Sequence, residues 1–204
     1  EAAMNMESEE LTPVDPGSQH SPFHLDSVLR QAWNTFIEYP LALILGLIIC
    51  ALISMISLGL AAPAMWLGYT KMTLKAVRGE PVEIGDVFSG MSQFLHAFVL
   101  GFLVFMGVCL GLIFLIVPGL FLMVIWDWAF LAMSDGSPSV GDSFSRSYTI
   151  SVSDFGAVVI LLVVCAAIEF AGSLVPLGGF VTAPLAACMS AVAYDRWQKQ
   201  NVAG

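Results

Sequence analysis

Two carboxylates stand where a carboxylate is expensive. Asp127 and Glu169 each interrupt a long apolar stretch, and an ionised acid near the middle of a bilayer costs about 3 kcal/mol on insertion scales. Such groups face a bundle interior, a water path or a partner. Asp127 is nine residues in from Pro118 and Glu169 five residues in from Leu174, so their depths differ by about 6 Å along a helix. If their faces meet, they can share a proton or a bound cation. Otherwise each is protonated, hydrogen-bonded to a Ser, Tyr or Trp neighbour, or matched by another subunit.

Other chemistry has weaker support. Gly85-Asp86 and Gly141-Asp142 resemble the Gly-Asp of intramembrane aspartyl proteases, but both belong to a repeated segment that accounts for them without catalysis. His20, His24 and His96 lack the spacing of a metal site, and Gly172-Ser173 has no base at its depth. Cys50, Cys109, Cys165 and Cys188 each fall within a hydrophobic run, where a thiol acts as a small apolar group. The expectation is a non-enzymatic chain with no metal and no cofactor.

The elements that carry the two acids follow from gaps in the charge pattern. The 204 residues are 58% hydrophobic and only 11% charged, with a mean hydropathy of +0.85, outside the range of water-soluble domains. Between Glu38 and Lys71 lie 32 uncharged residues, about 48 Å as one helix against a hydrocarbon core of roughly 30 Å. Ser57, Gly59 and Pro63 therefore mark a turn between spans near 41–59 and 62–78. The 40 uncharged residues from Val87 to Trp126 divide at Val117, Pro118 and Gly119, giving spans near 95–116 and 118–134. A last pair, near 155–174 and 178–195, turns at Pro176, Gly178 and Gly179.

These hairpins repeat. Gly85-Asp86-Val87-Phe88-Ser89 returns as Gly141-Asp142-Ser143-Phe144-Ser145, and the offsets from Asp to the next turn proline are 32 and 34 residues, with a weaker first copy of 37 from Asp26 to Pro63. Each unit opens with an amphipathic segment. In the first, Leu25, Val28, Leu29, Ala32, Trp33, Phe36 and Ile37 recur at helical spacing. The second shows Ile84, Val87, Phe88, Met91 and Leu95; the third, with Ser137-Pro138 as cap and first turn, shows Val140, Phe144 and Tyr148. Trp33, Phe36, Phe88 and Phe144 are the candidate lipid-interface residues. Gly107 and Gly111 form a GxxxG pair, with Gly101 nearby, that permits close helix approach within this chain or to another.

The fold class expected is thus an all-α membrane protein with six transmembrane helices as three hairpins, each preceded by a cytoplasmic amphipathic helix, over units of about 23–79, 80–136 and 137–197. Residues 1–22 read as a flexible acidic arm without a cleavable signal, and 198–204 as a tail. Arg30, Lys71, Lys75, Arg78, Arg146, Arg196 and Lys199 all fall on one side of this arrangement, which places both termini in the cytoplasm. The net charge of −9 is concentrated in the arm, with Glu1, Glu7, Glu9, Glu10 and Asp15, and argues against nucleic acid.

Several short motifs fit one family. Gly68 with Lys75, Gly79 and Glu80, then Asp86 and Phe88, then Pro118-Gly119 with Trp126 or Trp128, then Asp135-Gly136 and Ser143-Phe144-Ser145-Arg146-Ser147-Tyr148 span roughly residues 23–195. This pattern resembles the bacterial multi-span inner-membrane family related to the membrane domain of glycerophosphodiester phosphodiesterases, which includes stand-alone members. The resemblance implies a location in the bacterial inner membrane and an association with lipid metabolism. The soluble phosphodiesterase domain has no counterpart in these residues, so its catalytic groups map onto nothing here. The family pattern also implies a basic residue ahead of the aromatic in the fourth span, where this chain has Asp127.

Three functions remain open: an accessory or scaffold subunit that contacts membrane lipids and other subunits or itself, a proton- or cation-linked transporter using Asp127 and Glu169, and a lipid-metabolism enzyme or regulator. The topology has a direct test. A cysteine introduced near Arg78 should be labelled from the cytoplasmic side and one near Gly178 from outside; the reverse would invert the arrangement.

Overall fold

The computed structural model describes residues 23–114, 127–137, 139–175 and 177–202. Among these, every regular element is helical: α1 Leu25–Glu38, α2 Pro40–Ile56, α3 Ala62–Arg78, a 3-10 helix Ile84–Gln93, α4 Phe94–Phe114, α5 at 127–134, α6 Val140–Ser153, α7 Phe155–Ser173 and α8 Gly179–Val202. The acidic arm 1–22, the turn at 117–119, Trp126, Pro138 and Pro176 lie outside the described residues.

A dipeptide sets the first corner. Tyr39 precedes Pro40, and a residue before proline is disfavoured in the helical region; Tyr39 sits at φ −124°, ψ 43°, and Pro40 opens α2 as its first residue. The axes of α1 and α2 consequently meet at 87°. If α2 runs along a membrane normal, α1 lies in the membrane plane. Val28, Ala32, Thr35 and Phe36 are buried on one side of α1, while Leu29, Trp33 and Ile37 form an exposed apolar row at four-residue steps.

Two segments are long and apolar enough to cross a membrane, Ile84–Leu110 and Phe155–Ser173, and the bent pair α1–α2 makes a third if it counts as one span. Only 28% and 22% of their most apolar stretches is buried inside the protein. The outward surface is apolar instead, with Phe102, Phe105, Leu110, Ile160, Val163 and Phe170 exposed, as expected where lipid replaces water as the solvent. α2 and α3 have 17 residues each, about 26 Å of helix, and α3 carries Lys71, Lys75 and Arg78 besides.

α3 is the central helix, with eleven of its seventeen residues buried. One of its sides joins the larger core of Met65, Tyr69, Met72, Trp128, Leu161 and Cys188; another joins a smaller core of Ala64, Leu67, Leu100, Val104 and Phe130. Its buried hydroxyls bond within the helix, Thr70 to the Leu67 carbonyl at 2.9 Å and Thr73 to the Tyr69 carbonyl at 2.9 Å.

The second amphipathic segment departs from the α-helix expected. It is a 3-10 helix with about three residues per turn, so Val87 and Gly90 share the buried side while Phe88 and Met91 stand exposed. The cause is close approach. A Cβ on Gly68 would meet the Val87 carbonyl, and one on Gly90 would meet the Ala64 carbonyl and come within 2.6 Å of the Gly68 nitrogen. Backbone packs on backbone here, which side chains would prevent. The third amphipathic segment is α-helical, but its cap is Ser139, whose Oγ accepts from the Asp142 amide at 3.1 Å. This corrects the expected cap at Ser137, whose hydroxyl is buried.

Gly68→Ala and Gly90→Ala should each destabilise the fold by about 1–3 kcal/mol through overpacking. Gly85→Ala should be nearly silent, because nothing lies within 4 Å of the Cβ it would gain. Reversible unfolding of the three variants in mixed micelles checks the contrast.

Candidate functional site

Two polar clusters compete for attention, one expected and one not. The expected cluster holds the two isolated acids, Asp127 and Glu169. Asp127, at the start of the described part of α5, lies beside Ser190 of α8, a buried serine. Glu169 stands on the exposed flank of α7, within electrostatic reach of Asp127. Cys165, one helical turn before Glu169, lies within reach of both carboxyls. The fold therefore brings the two acids within electrostatic reach, in unlike settings: one stands beside a buried serine and the other is turned outward.

The unexpected cluster joins α3, the residue after α5, and α8. Arg78, last residue of α3, places Nη2 2.7 Å from Asp135 Oδ1 and Nε 3.1 Å from Asp195 Oδ1. The same Nη2 donates to Gln198 Oε1 at 2.7 Å. Gln198 returns a bond to Asp135 Oδ2 at 2.6 Å, and the Tyr194 hydroxyl donates to that oxygen at 3.3 Å. Arg146 of α6 stands 3.7 Å from Asp135, and Lys199 2.6 Å from Asp195. The two carboxylate side chains are only 6% and 3% exposed, so three cations around them satisfy charges that burial would otherwise penalise.

Helix termini place two of these side chains, Arg78 and Asp135. α3 ends at Gly79 with φ 72°, and α5 ends at Gly136 with φ 93°. In both, an amide past the glycine reaches back into the last turn: Glu80 to the Lys75 carbonyl at 3.0 Å and Ser137 to the Ala132 carbonyl at 3.2 Å, the glycine-terminated cap of an α-helix. Arg78 and Asp135 precede these glycines and lie 57 residues apart. Each sits one residue before the glycine that closes its helix, and the two carry opposite charge. That spacing is the signal by which the pair could have been found in the sequence.

Each amphipathic element is also fastened to this end. Arg196 of α8 bonds α1 through Ser27 Oγ at 2.6 Å, the Ser27 carbonyl at 3.0 Å and Gln31 Oε1 at 2.8 Å. Burial pulls the Arg196 guanidinium below its ordinary value, and neighbouring Asp195 opposes that pull. Lys75 binds Asp86 of the 3-10 helix at 2.7 Å, and Asp86 Oδ2 in turn accepts from the Glu83 amide at 3.0 Å. The Gly-Asp doublets thus serve helix starts, Asp86 at one and Asp142 at the other.

The remaining candidates separate by environment. Trp33 is 47% and Phe88 47% exposed, whereas Phe36 at 7% is a core residue and Phe144 is half-buried against the smaller core. Phe36 therefore packs inward, because it shares the side of α1 that holds Val28 and Ala32. Gly101 serves contact inside the chain, since a Cβ there would come within 2.7 Å of Pro63. Gly107 is half-buried in α4, and the surroundings of Gly111 lie outside the described residues. The close-packing pair missed in the sequence was Gly68 with Gly90, and Ala64 four residues before Gly68 was its small-residue signal. All four cysteines are free, and no group of three or more His, Cys, Asp or Glu that could hold a metal occurs among the described residues.

Arg78→Ala removes the one cation that Asp135 and Asp195 share, leaving Arg146 beside the first and Lys199 beside the second, and should cost about 2–3 kcal/mol. Lys199→Ala removes a side chain that is 70% exposed and should cost less than about 1 kcal/mol. Unfolding midpoints of both variants in the same detergent test this ranking; equal losses would contradict a seam organised by Arg78.

No protein-family model matches the chain, and no curated protein sequence or solved structure matches it either.

Proposed function

We propose that this chain is a non-enzymatic integral membrane protein of the bacterial inner membrane, an accessory or scaffold subunit whose outer surface contacts lipids and other membrane subunits or a second copy of itself. In this reading α2 with α3, α4 with the segment ending in α5, and α7 with α8 form three hairpins, six spans in all, with both termini cytoplasmic. One observation carries it. The Arg78, Asp135 and Asp195 seam spends its buried charges on joining the ends of α3 and α5 to α8, while the surfaces of α4 and α7 are apolar and outward-facing. Polar groups hold the architecture together, and the free surface is one that lipid or another membrane helix covers.

Two features support this orientation. Five of the described cations, Lys75, Arg78, Arg146, Arg196 and Lys199, are tied into the polar contacts around the unit ends. The turns at Ser57–Ala61 and at 174–178 carry no charge. An excess of Lys and Arg on one side is the mark of a cytoplasmic face. The relation to the membrane domain of glycerophosphodiester phosphodiesterases belongs to the same proposal, with Gly79 and Asp135-Gly136 among its motif positions at matching helix ends. It leaves a regulatory role in lipid metabolism as a variant of the scaffold reading.

A proton- or cation-linked transporter is the second reading, favoured specifically by the approach of Asp127 and Glu169. Three hairpins of the same orientation differ from the inverted repeat common in secondary transporters. Extraction of the full chain from its native membrane into nanodiscs, followed by native mass spectrometry, separates the two. A stoichiometric complex with another membrane protein is the expected result. A lone monomer would overturn the accessory role and move the weight to transport through the two acids.

A further inference from the structure

A cavity of about 450 Å³ lies between α2, α3, α4 and α5, lined by residues that include Cys50, Ser54, Pro63, Trp66, Phe102 and Phe130. None of its lining residues is charged. The Ser54 hydroxyl is already committed to the Cys50 carbonyl at 2.7 Å, so a charged or strongly polar ligand entering here would lose its hydration without finding partners. Water gains little from an apolar cavity, and the walls lose dispersion contacts when it stands empty. What the lining favours is hydrocarbon.

The surroundings identify its source. Phe102 lines the cavity and is 54% exposed on the surface of α4. Met55 and Ile56, at the end of α2 just beyond Ser54, are 75% and 83% exposed. The cavity is therefore continuous with the apolar surface of Ile84–Leu110, one of the segments fit to cross a membrane. Five of its eleven lining residues are aromatic, and Gly101 lets α4 close against Pro63 at its edge. We propose that this cavity is a lateral lipid-binding site that receives one acyl chain of a membrane phospholipid. The inference rests on the membrane embedding in the proposed function and is independent of the scaffold role.

Tryptophan quenching by phospholipids brominated on their acyl chains tests it in nanodiscs, using the full chain. The Trp66 contribution is the difference between the protein and Trp66→Phe, and the Trp33 contribution is obtained likewise from Trp33→Phe. The expected result is loss of Trp66 emission in brominated lipid, reversed when the cavity is filled by Ala62→Phe or, as a milder filler, Ser54→Leu. Trp66 that stays bright while exposed Trp33 is quenched would overturn the site and leave the membrane embedding standing. Quenching of Trp66 that persists in both filled variants would also overturn it, since ordinary contact with the bilayer would then suffice. If neither tryptophan is quenched, the embedding fails and the site with it.

Discussion

The guanidinium of Arg78 is the constraint on which the architecture turns. Its planar fork reaches Asp135 with one nitrogen and Asp195 with another, a geometry that an ammonium group cannot reproduce. Because α3, the end of α5 and α8 each bring one residue to this point, three helices that are distant in sequence are held together there. A buried ion pair is weak evidence for stability in itself, since desolvation offsets most of the attraction. Its contribution here is specificity: any slippage of α3 by one turn, about 5.4 Å, would withdraw the one cation that both nearly buried carboxylates share.

The amphipathic elements follow from the same end of the bundle. α1 is turned by Tyr39-Pro40 and held by Arg196, the 3-10 helix by Lys75, and α6 by the Arg146 contact with Asp135. Each hydrophobic stripe is thereby divided. Part packs on the helices behind it, as Val28 and Val87 do, and part remains outward, as Trp33 and Phe88 do. A helix docked in this way presents an apolar row at a set angle, which suits an interface between headgroups and acyl chains.

The close contact of α3 with the 3-10 helix shows how lipid-exposed proteins pack without a strong hydrophobic drive between helices. Gly68 and Gly90 bring main chains together, so dispersion and polar backbone contacts replace the burial of large side chains. The large aromatics are placed elsewhere, Trp128 and Tyr69 inside the core and Phe102 at the rim of a cavity. Small residues define where helices touch, and aromatic residues define where they stay apart.

The sequence by itself determined the helical class, the ends of α1 and α3, the start of α4 and the limits of α7 to within a few residues, because proline, glycine and the charge gaps act locally on the backbone. It also marked Asp127 and Glu169 as exceptional, since the cost of a charge among apolar residues is legible without coordinates. The tertiary structure decided which helix faces meet. Phe36 and Trp33 look alike in the pattern and differ only in what stands beside α1; Gly68 looks like any membrane glycine until the 3-10 helix arrives against it. The Arg78 seam joins residues 57 and 117 positions apart, and such a pairing depends on how units stack. Local periodicity records a helix and its two sides, but the choice of partner for each side belongs to packing, and only three dimensions contain it.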